Sequence, residues 1–293
     1  MSKIFKKSKN IIKVSVPGSL MLFGEHAVLH GKCAIVTAID KYITITLSMR
    51  DDNKIAINSA EFAKCLMSID KFKITKPYDY VLTAIKTYLK KLPCGFNLDI
   101  ESDFSATMGF GSSAAVTVAT LSVLSVWLDK KINLMNLHKK AHEVIKAVSG
   151  VGSGADLAAS IFGGVIAYKM QPRKIQKISD YLPLVAIYSG SKTPTHTVIA
   201  VVEKKRKQFK KIYNNLYNLI DSCTKEAILA IKKNDLSRVG QLMNIHHGLQ
   251  DALGVNNEAL SKLAFYLRAQ KKIYGAKISG AGLGDCVVGL GKI

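Results

Sequence analysis

The segment Met108-Gly109-Phe110-Gly111-Ser112-Ser113-Ala114-Ala115 stands directly before an apolar run that extends from Ala114 to Leu128. A helix that is apolar all round has to be buried on every face, so the chain must build a core around it. The start of the run says more. Glycines let the backbone turn tightly and approach a ligand. The N–H groups exposed by such a turn lie at a helix N-terminus, where the helix dipole favours an anion. Ser112 and Ser113 add hydroxyls able to bond phosphate oxygens or a magnesium ion. The same residues also suit a plain glycine turn with a serine cap. No G-x-x-x-x-G-K-[ST] run occurs, so a P-loop fold is not supported.

Two further segments are rich in glycine. Val16-Pro17-Gly18-Ser19-Leu20-Met21-Leu22-Phe23-Gly24-Glu25-His26-Ala27-Val28-Leu29-His30-Gly31 sets Glu25 and His26 into apolar surroundings. Polar groups buried there need partners, and a polar substrate is one such partner. An ordinary Glu and His beside a turn would look the same. In Lys277-Ile278-Ser279-Gly280-Ala281-Gly282-Leu283-Gly284-Asp285 the alternate glycines suggest close backbone approach to something, or a bulge.

The chain has 293 residues, 48% hydrophobic and 22% charged, which argues against disorder. Its formal net charge of +21 invites a nucleic-acid or membrane-surface reading. Lysine supplies most of that excess; arginine stands only at 50, 173, 206, 238 and 268. Arginine is the usual residue for forked phosphate and base contacts. Lysines on solvated helix faces are therefore the expected reading, with a field that gathers anionic substrates. Cys33, Cys65, Cys94, Cys223 and Cys286 are odd in number and lack C-x-x-C spacing, as in a cytoplasmic protein with reduced thiols. The basic N-terminus is followed by no apolar h-region, so no signal peptide is expected. Ala114–Leu128 reads as too short for a membrane span, which leaves a buried helix and no membrane partner.

β-Branched runs predict strands at Ile11–Val16, Ala34–Ile39, Tyr42–Met49, Lys54–Asn58 and Gly95–Ile100. Helical patterns cover about Tyr78–Lys91, Ser112–Leu128, Leu134–Val148 and Ala155–Phe162. Strands at Val165–Lys169 and Leu184–Tyr188 flank a basic connection, Gln171–Asp180, expected to separate a domain 1–181 from a domain 182–293. Helices follow at Thr197–Asn215, Ser222–Ile231, Asp235–Leu249 and Glu258–Ala269, then the strand Asp285–Leu290. This order reads as α+β.

In order and separation, the three glycine segments resemble the three motifs of the GHMP kinases, a family named for galactokinase, homoserine, mevalonate and phosphomevalonate kinases. Phe23–Gly31 is similar to the form carried by mevalonate kinases, and Asp251-Ala252-Leu253-Gly254-Val255 is similar to the loop before their third motif. The resemblance implies an N-terminal ribosomal-S5-like domain and a C-terminal ferredoxin-like domain, and it allows a homodimer. It also implies ATP and Mg2+, with phosphorylation of the primary hydroxyl of mevalonate. Another small alcohol or phosphomevalonate is the alternative acceptor, and a basic RNA-binding protein of S5-like fold is the alternative of another class. Gly109, Phe110, Gly111, Ser112, Ser113 and Ala114 would hold ATP, with Ser113 on the metal. Asp156, in Gly152-Ser153-Gly154-Ala155-Asp156, matches the catalytic aspartate. Glu25, His26, Lys192, Thr197, Gly280 and Ala281 match positions at the substrate. Two positions depart from the pattern: Ser19 stands where the family carries a lysine beside the aspartate, and Ile145 where it carries a metal-binding glutamate. Lys192 or Lys13 is a candidate replacement for the lysine. Glu143 lies two helical residues from 145, roughly 200° around the helix, and is expected to face elsewhere.

His138 and His142 stand at i and i+4 with lysines between them; a solvated face is expected rather than a zinc site. His246-His247 reads as helix surface or loop packing, 203–207 as a solvated face, and Trp127 as buried.

Overall fold

The computed structural model describes residues 3–8 by their backbone, then residues 10–129 and 131–293 in full. The basic N-terminal run lies in part outside the described residues, at positions 1, 2 and 9. The elements are β1 (Lys3–Ser8), β2 (Ile11–Phe23), β3 (Cys33–Met49), β4 (Lys54–Ser59), β5 (Cys65–Ser68), α1 (Asp79–Lys86) and β6 (Phe96–Ser102). Then come α2 (Ser112–Leu124), α3 (Leu134–Ser149), α4 (Ala155–Phe162), β7 (Val165–Lys169), β8 (Lys174–Ser179) and β9 (Leu184–Tyr188). The chain closes with α5 (Thr195–Gln208), α6 (Lys210–Lys232), α7 (Leu236–Ala252), α8 (Glu258–Arg268), β10 (Ile273–Ser279) and β11 (Cys286–Gly291).

Contacts group these elements into two compact units that interleave along the chain. One comprises Met1–Ser19, Ile39–Ala106 and Gly111–Phe162; the other comprises Leu20–Ala38, Thr107–Phe110 and Gly163–Ile293. Strands β2 and β3 lend part of their length to each.

The first unit carries strands in the order β1-β2-β3-β6-β4-β5. Only the β4–β6 pair is parallel among the registers at the β6 end, with Ile55 opposite Phe96. Apolar alternation on β3 and β6 buries Ile45, Leu47, Phe96 and Leu98. Helix α2 lies among α1, α3 and α4. Ten of its residues are buried, so burial on all sides answers its lack of a polar face. With the wider turn at Ser125–Asp129, the stretch Ser112–Asp129 is long and apolar enough to cross a membrane by length and composition, and 61% of it is buried inside the protein. Trp127 is half-buried rather than buried, its ring edge-on to Phe96 at 5.5 Å.

In the second unit β7 pairs antiparallel with the start of β3, Cys33 opposite Lys169, and β8 pairs with β7. The connection Gln171–Asp180 is therefore a hairpin strand rather than a linker. The exposed Lys174 and Lys177 on this edge strand obscure it in sequence. A second sheet runs β10-β11-β9, with α7 and α8 packed against β10. Ile278 and Val287 in the sheet and Leu260, Ala264 and Leu267 on α8 share one core.

The two short strand runs expected at 34–39 and 42–49 are one continuous strand, and β2 runs through Pro17-Gly18 to Phe23. A strand ladder holds both segments extended, where turn residues in the sequence suggest a break.

Candidate active site

Within the first unit, the start of α2 and the start of α4 come together on Ser19. Gly111 occupies the cap position of α2 with φ 67°, and no side chain caps the helix. The first N–H groups of α2 are thus left for a ligand, as an anion site requires. A side chain at 111 would overlap Ser19 Oγ, so glycine is required by space as well as by φ. Ser19, buried in β2, donates a 2.8 Å hydrogen bond to Asp156 Oδ1. Asp156 sits in the first turn of α4, where the helix dipole stabilises its charge. Ser160, one turn on, donates to Pro17 O at 2.9 Å and fixes α4 against β2. Ser112 Oγ donates to Ala106 O at 3.3 Å, and Ala114 is buried.

Within the second unit, the turn after β2 meets the turn between β10 and β11. Glu25 is buried and pairs with the buried Lys277 at 2.5 Å, and Lys277 also donates to Ile278 O. His246 of α7 accepts the Gly24 N–H at 3.0 Å through Nε2, which lies 3.5 Å from Glu25. Burial, with the Lys277 charge second, lowers the His246 pKa well below its usual value, so this histidine is neutral. His26 adopts φ 59°, a conformation few non-glycine residues take, and its Nε2–H donates to Ala281 O at 2.8 Å. Burial lowers the pKa of His26 too, against the raising effect of that hydrogen bond.

The other half of the glycine turn belongs to this unit. A Cβ at Gly109 would stand 3.0 Å from Asp285 Oδ1, and one at Gly280 would stand 3.4 Å from Oδ2. Cys286 Sγ donates to Met108 O at 3.0 Å. Burial, with Asp285 beside it, pushes that thiol up to about 12, so it stays protonated. Asp285 bonds Ser191 O through its N–H at 2.9 Å, and Thr193 Oγ1 donates to Leu283 O at 2.7 Å. Lys192 and Thr197 are exposed, in the loop before α5 and in its first turn.

Residues 79–164 match the family model described as GHMP kinases N terminal domain, and residues 227–292 match GHMP kinases C terminal. Mevalonate kinase of Pyrococcus abyssi is 32% identical over 298 residues, covering 96% of this chain and 88% of the relative. The chain belongs to the GHMP kinase family. Among solved structures similar to this GHMP kinase, Methanococcus jannaschii mevalonate kinase has a TM-score of 0.82 at 26% identity, covering 96% of this chain and 90% of that one. The L. major mevalonate kinase in complex with R-mevalonate has a TM-score of 0.79 at 27% identity, covering 100% and 90%. The fold is the GHMP kinase fold.

Several expectations about this GHMP kinase change. His138 and His142 are buried, not solvated: each bonds a carbonyl of the loop that leads to α4. The lysines between them point the other way around the helix, which sequence spacing alone could not weigh against the imidazoles. His246 and His247 are buried as well. Lys13 pairs with Glu101 at 3.6 Å on an exposed part of β2, so its charge is directed to that carboxylate. Glu143 is exposed, as its helical position implied, while Ile145 packs against Gly152. Lys277, Asp285 and His246 have no role that the sequence alone assigns. Their one sequence signal is a lysine and an aspartate bounding the third glycine segment.

A magnesium ion accompanies ATP in this family, and the residues present suit it. Among the described residues no cluster of three or more His, Cys, Asp or Glu is placed to hold a metal. The first unit offers the Ser113 hydroxyl, a hard oxygen donor of the kind Mg2+ takes while keeping waters and phosphate oxygens.

Proposed function

We propose that this protein transfers the γ-phosphoryl group of ATP to the primary hydroxyl of mevalonate. One observation carries the reading: Gly111 at the uncapped start of α2, Ser19 and Asp156 form a continuous contact chain within one unit. An anion-binding helix end thus lies one side chain away from a carboxylate held by a hydrogen bond. The choice of acceptor rests on the relatives, which carry the name mevalonate kinase, and on Phe23–Gly31.

Phosphoryl transfer needs little covalent help from a protein; position and charge supply most of the rate. The N–H groups of Ser112, Ser113 and Ala114 receive phosphate oxygens and hold them against the dipole of α2. Ser113 would hold Mg2+, which would supply charge neutralisation at the phosphates when bound. Asp156 accepts, or orients by a hydrogen bond, the proton of the attacking hydroxyl. Ser19 holds that carboxylate through a hydrogen bond to Oδ1, which sets its direction. In the second unit, His26 is fixed on Ala281 O and Glu25 pairs with Lys277, which holds the turn after β2 in one conformation.

ADP release from MgATP is the test, with mevalonate, phosphomevalonate, galactose and homoserine offered separately. Release that depends on mevalonate supports the proposal. Release with another acceptor alone moves the substrate, and none with any acceptor overturns the reading.

A further inference from the structure

Helix α3 supplies no metal-binding acid at Ile145, yet one of its faces is committed to the loop that delivers Asp156. His138 and His142 lie one turn apart and are both buried, and Ile145 follows on the same stripe. His138 Nε2–H donates to Gly154 O at 2.9 Å, and His142 Nε2–H donates to Gly152 O at 2.8 Å. A Cβ on Gly152 would stand 2.7 Å from Ile145 Cγ2, so the loop backbone lies directly on that side chain. All three contacts fall on residues 152–154, whose chain enters α4 with Asp156 in its first turn. The entry is finished locally: Ser153 Oγ accepts the Ala155 N–H at 3.2 Å, and Ala158 N–H bonds Gly154 O at 3.2 Å.

Gly154 O is therefore shared between the first turn of α4 and His138. Glycines at 150, 152 and 154 leave this loop little stiffness of its own, and Gly150 and Gly154 hold φ of 73° and 82°. Two imidazoles spaced by one helical turn match two carbonyls spaced by two residues. Such a bidentate hold fixes both the height and the rotation of the start of α4.

We infer that His138 and His142 are positioning residues for Asp156: they latch the glycine loop to α3 and thereby set where the carboxylate points. The inference rests on the reading of Asp156 as the residue that handles the acceptor hydroxyl. Neither histidine touches a reacting atom; each acts through the loop. A carboxylate displaced by about 1 Å can cost on the order of 100-fold in rate. Glutamine places an amide N–H close to the position of imidazole Nε2–H, whereas phenylalanine fills the same space without a donor.

The experiment compares His138→Gln, His138→Phe, His142→Gln, His142→Phe and His142→Ala with the parent and with Asp156→Asn. Each is assayed for kcat, for KM of acceptor and ATP, and for amide exchange of the peptide covering 150–158. The Phe and Ala variants should lose about 10- to 100-fold in kcat, with both KM values within about threefold. Exchange of the 150–158 peptide should rise in the same variants, and the Gln variants should recover most of the kcat. The proposal is overturned if the Phe and Ala variants keep kcat within about threefold of the parent, or if they lose activity through KM alone. It is also overturned if Gln variants are as slow as Phe variants while folded, since the hydrogen bond would then be irrelevant. Should the Phe variants not fold, His142→Ala against His142→Gln decides the question by the same criteria. A slow Asp156→Asn beside normal histidine variants sinks only the latch. Normal turnover in Asp156→Asn sinks the underlying reading.

Discussion

Ser19 Oγ and Asp156 Oδ1 stand 2.8 Å apart although 137 positions separate them in the chain. Gly111 closes over the same hydroxyl so tightly that it has no room for a side chain. A serine here is small enough to let the start of α2, the strand and the carboxylate meet at one point. The GHMP pattern places a lysine at this position, and the shorter residue holds the carboxylate by a neutral hydrogen bond instead.

Asp156→Asn keeps the shape of the side chain and removes its basicity. Turnover should fall by about 100- to 10,000-fold, the range for loss of a positioned acid–base group. The melting temperature should move by only a few degrees, because the residue lies half-buried in the first turn of α4 and asparagine is tolerated at a helix start. Steady-state assays with thermal melts check both halves.

Gly111→Ala should destabilise the protein and weaken nucleotide binding strongly, since it adds a clash with Ser19 Oγ to a left-handed backbone. Removing the hydroxyl relieves the clash but not the backbone strain of about 1 kcal/mol. The double variant Ser19→Ala/Gly111→Ala should therefore be more stable than Gly111→Ala alone. Chemical denaturation of the four proteins in this cycle gives the coupling, and simple additivity would contradict the geometry.

Lys277 and Glu25 are both buried, so deleting one partner strands a charge. Lys277→Met should cost about 3–5 kcal/mol. Lys277→Met/Glu25→Gln should cost clearly less than that single change, because no uncompensated charge remains. Urea midpoints compare the two.

Stability should decline as pH falls below neutrality. Burial lowers His247 to about 4, and it lowers His26 and His246 in the same direction. The unfolded chain takes up protons near the ordinary histidine value of about 6.5, which the folded protein refuses until near the depressed value. Above that upper value neither state is protonated and nothing is lost; through the window down to about 4 the folded state loses ground. The melting temperature at pH 5 should lie several degrees below that at pH 7 (on the order of 2–4 °C per kcal/mol for a chain of this size). His247→Gln should flatten part of this slope in melts across the pH range.

Local signals are legible in the amino-acid order alone. The buried α2, the extents of α4, β7 and β9, and the glycine turn at 109–111 all rest on spacing within a few residues. The hairpin strand β8 is hidden because an exposed edge strand rich in lysine looks like a linker. The histidines of α3 look solvated because a helix pattern averages the lysines at 139 and 140 with the imidazoles, and only packing separates the two faces.

The sequence by itself determined where α2, α3, α4 and α8 begin and which run must be buried, because backbone sterics and apolar periodicity act over short spans of chain. It missed α6, a single helix Lys210–Lys232 that runs through the break expected between 215 and 222. Tertiary structure alone decided that Ser19 meets Asp156, that Glu25 meets Lys277 and that His138 and His142 hold the loop at 152–154. Each of those partnerships joins groups whose separation along the chain bears no relation to their distance in space. A buried polar side chain finds its partner by the packing of whole elements, and that packing is a property of the folded molecule.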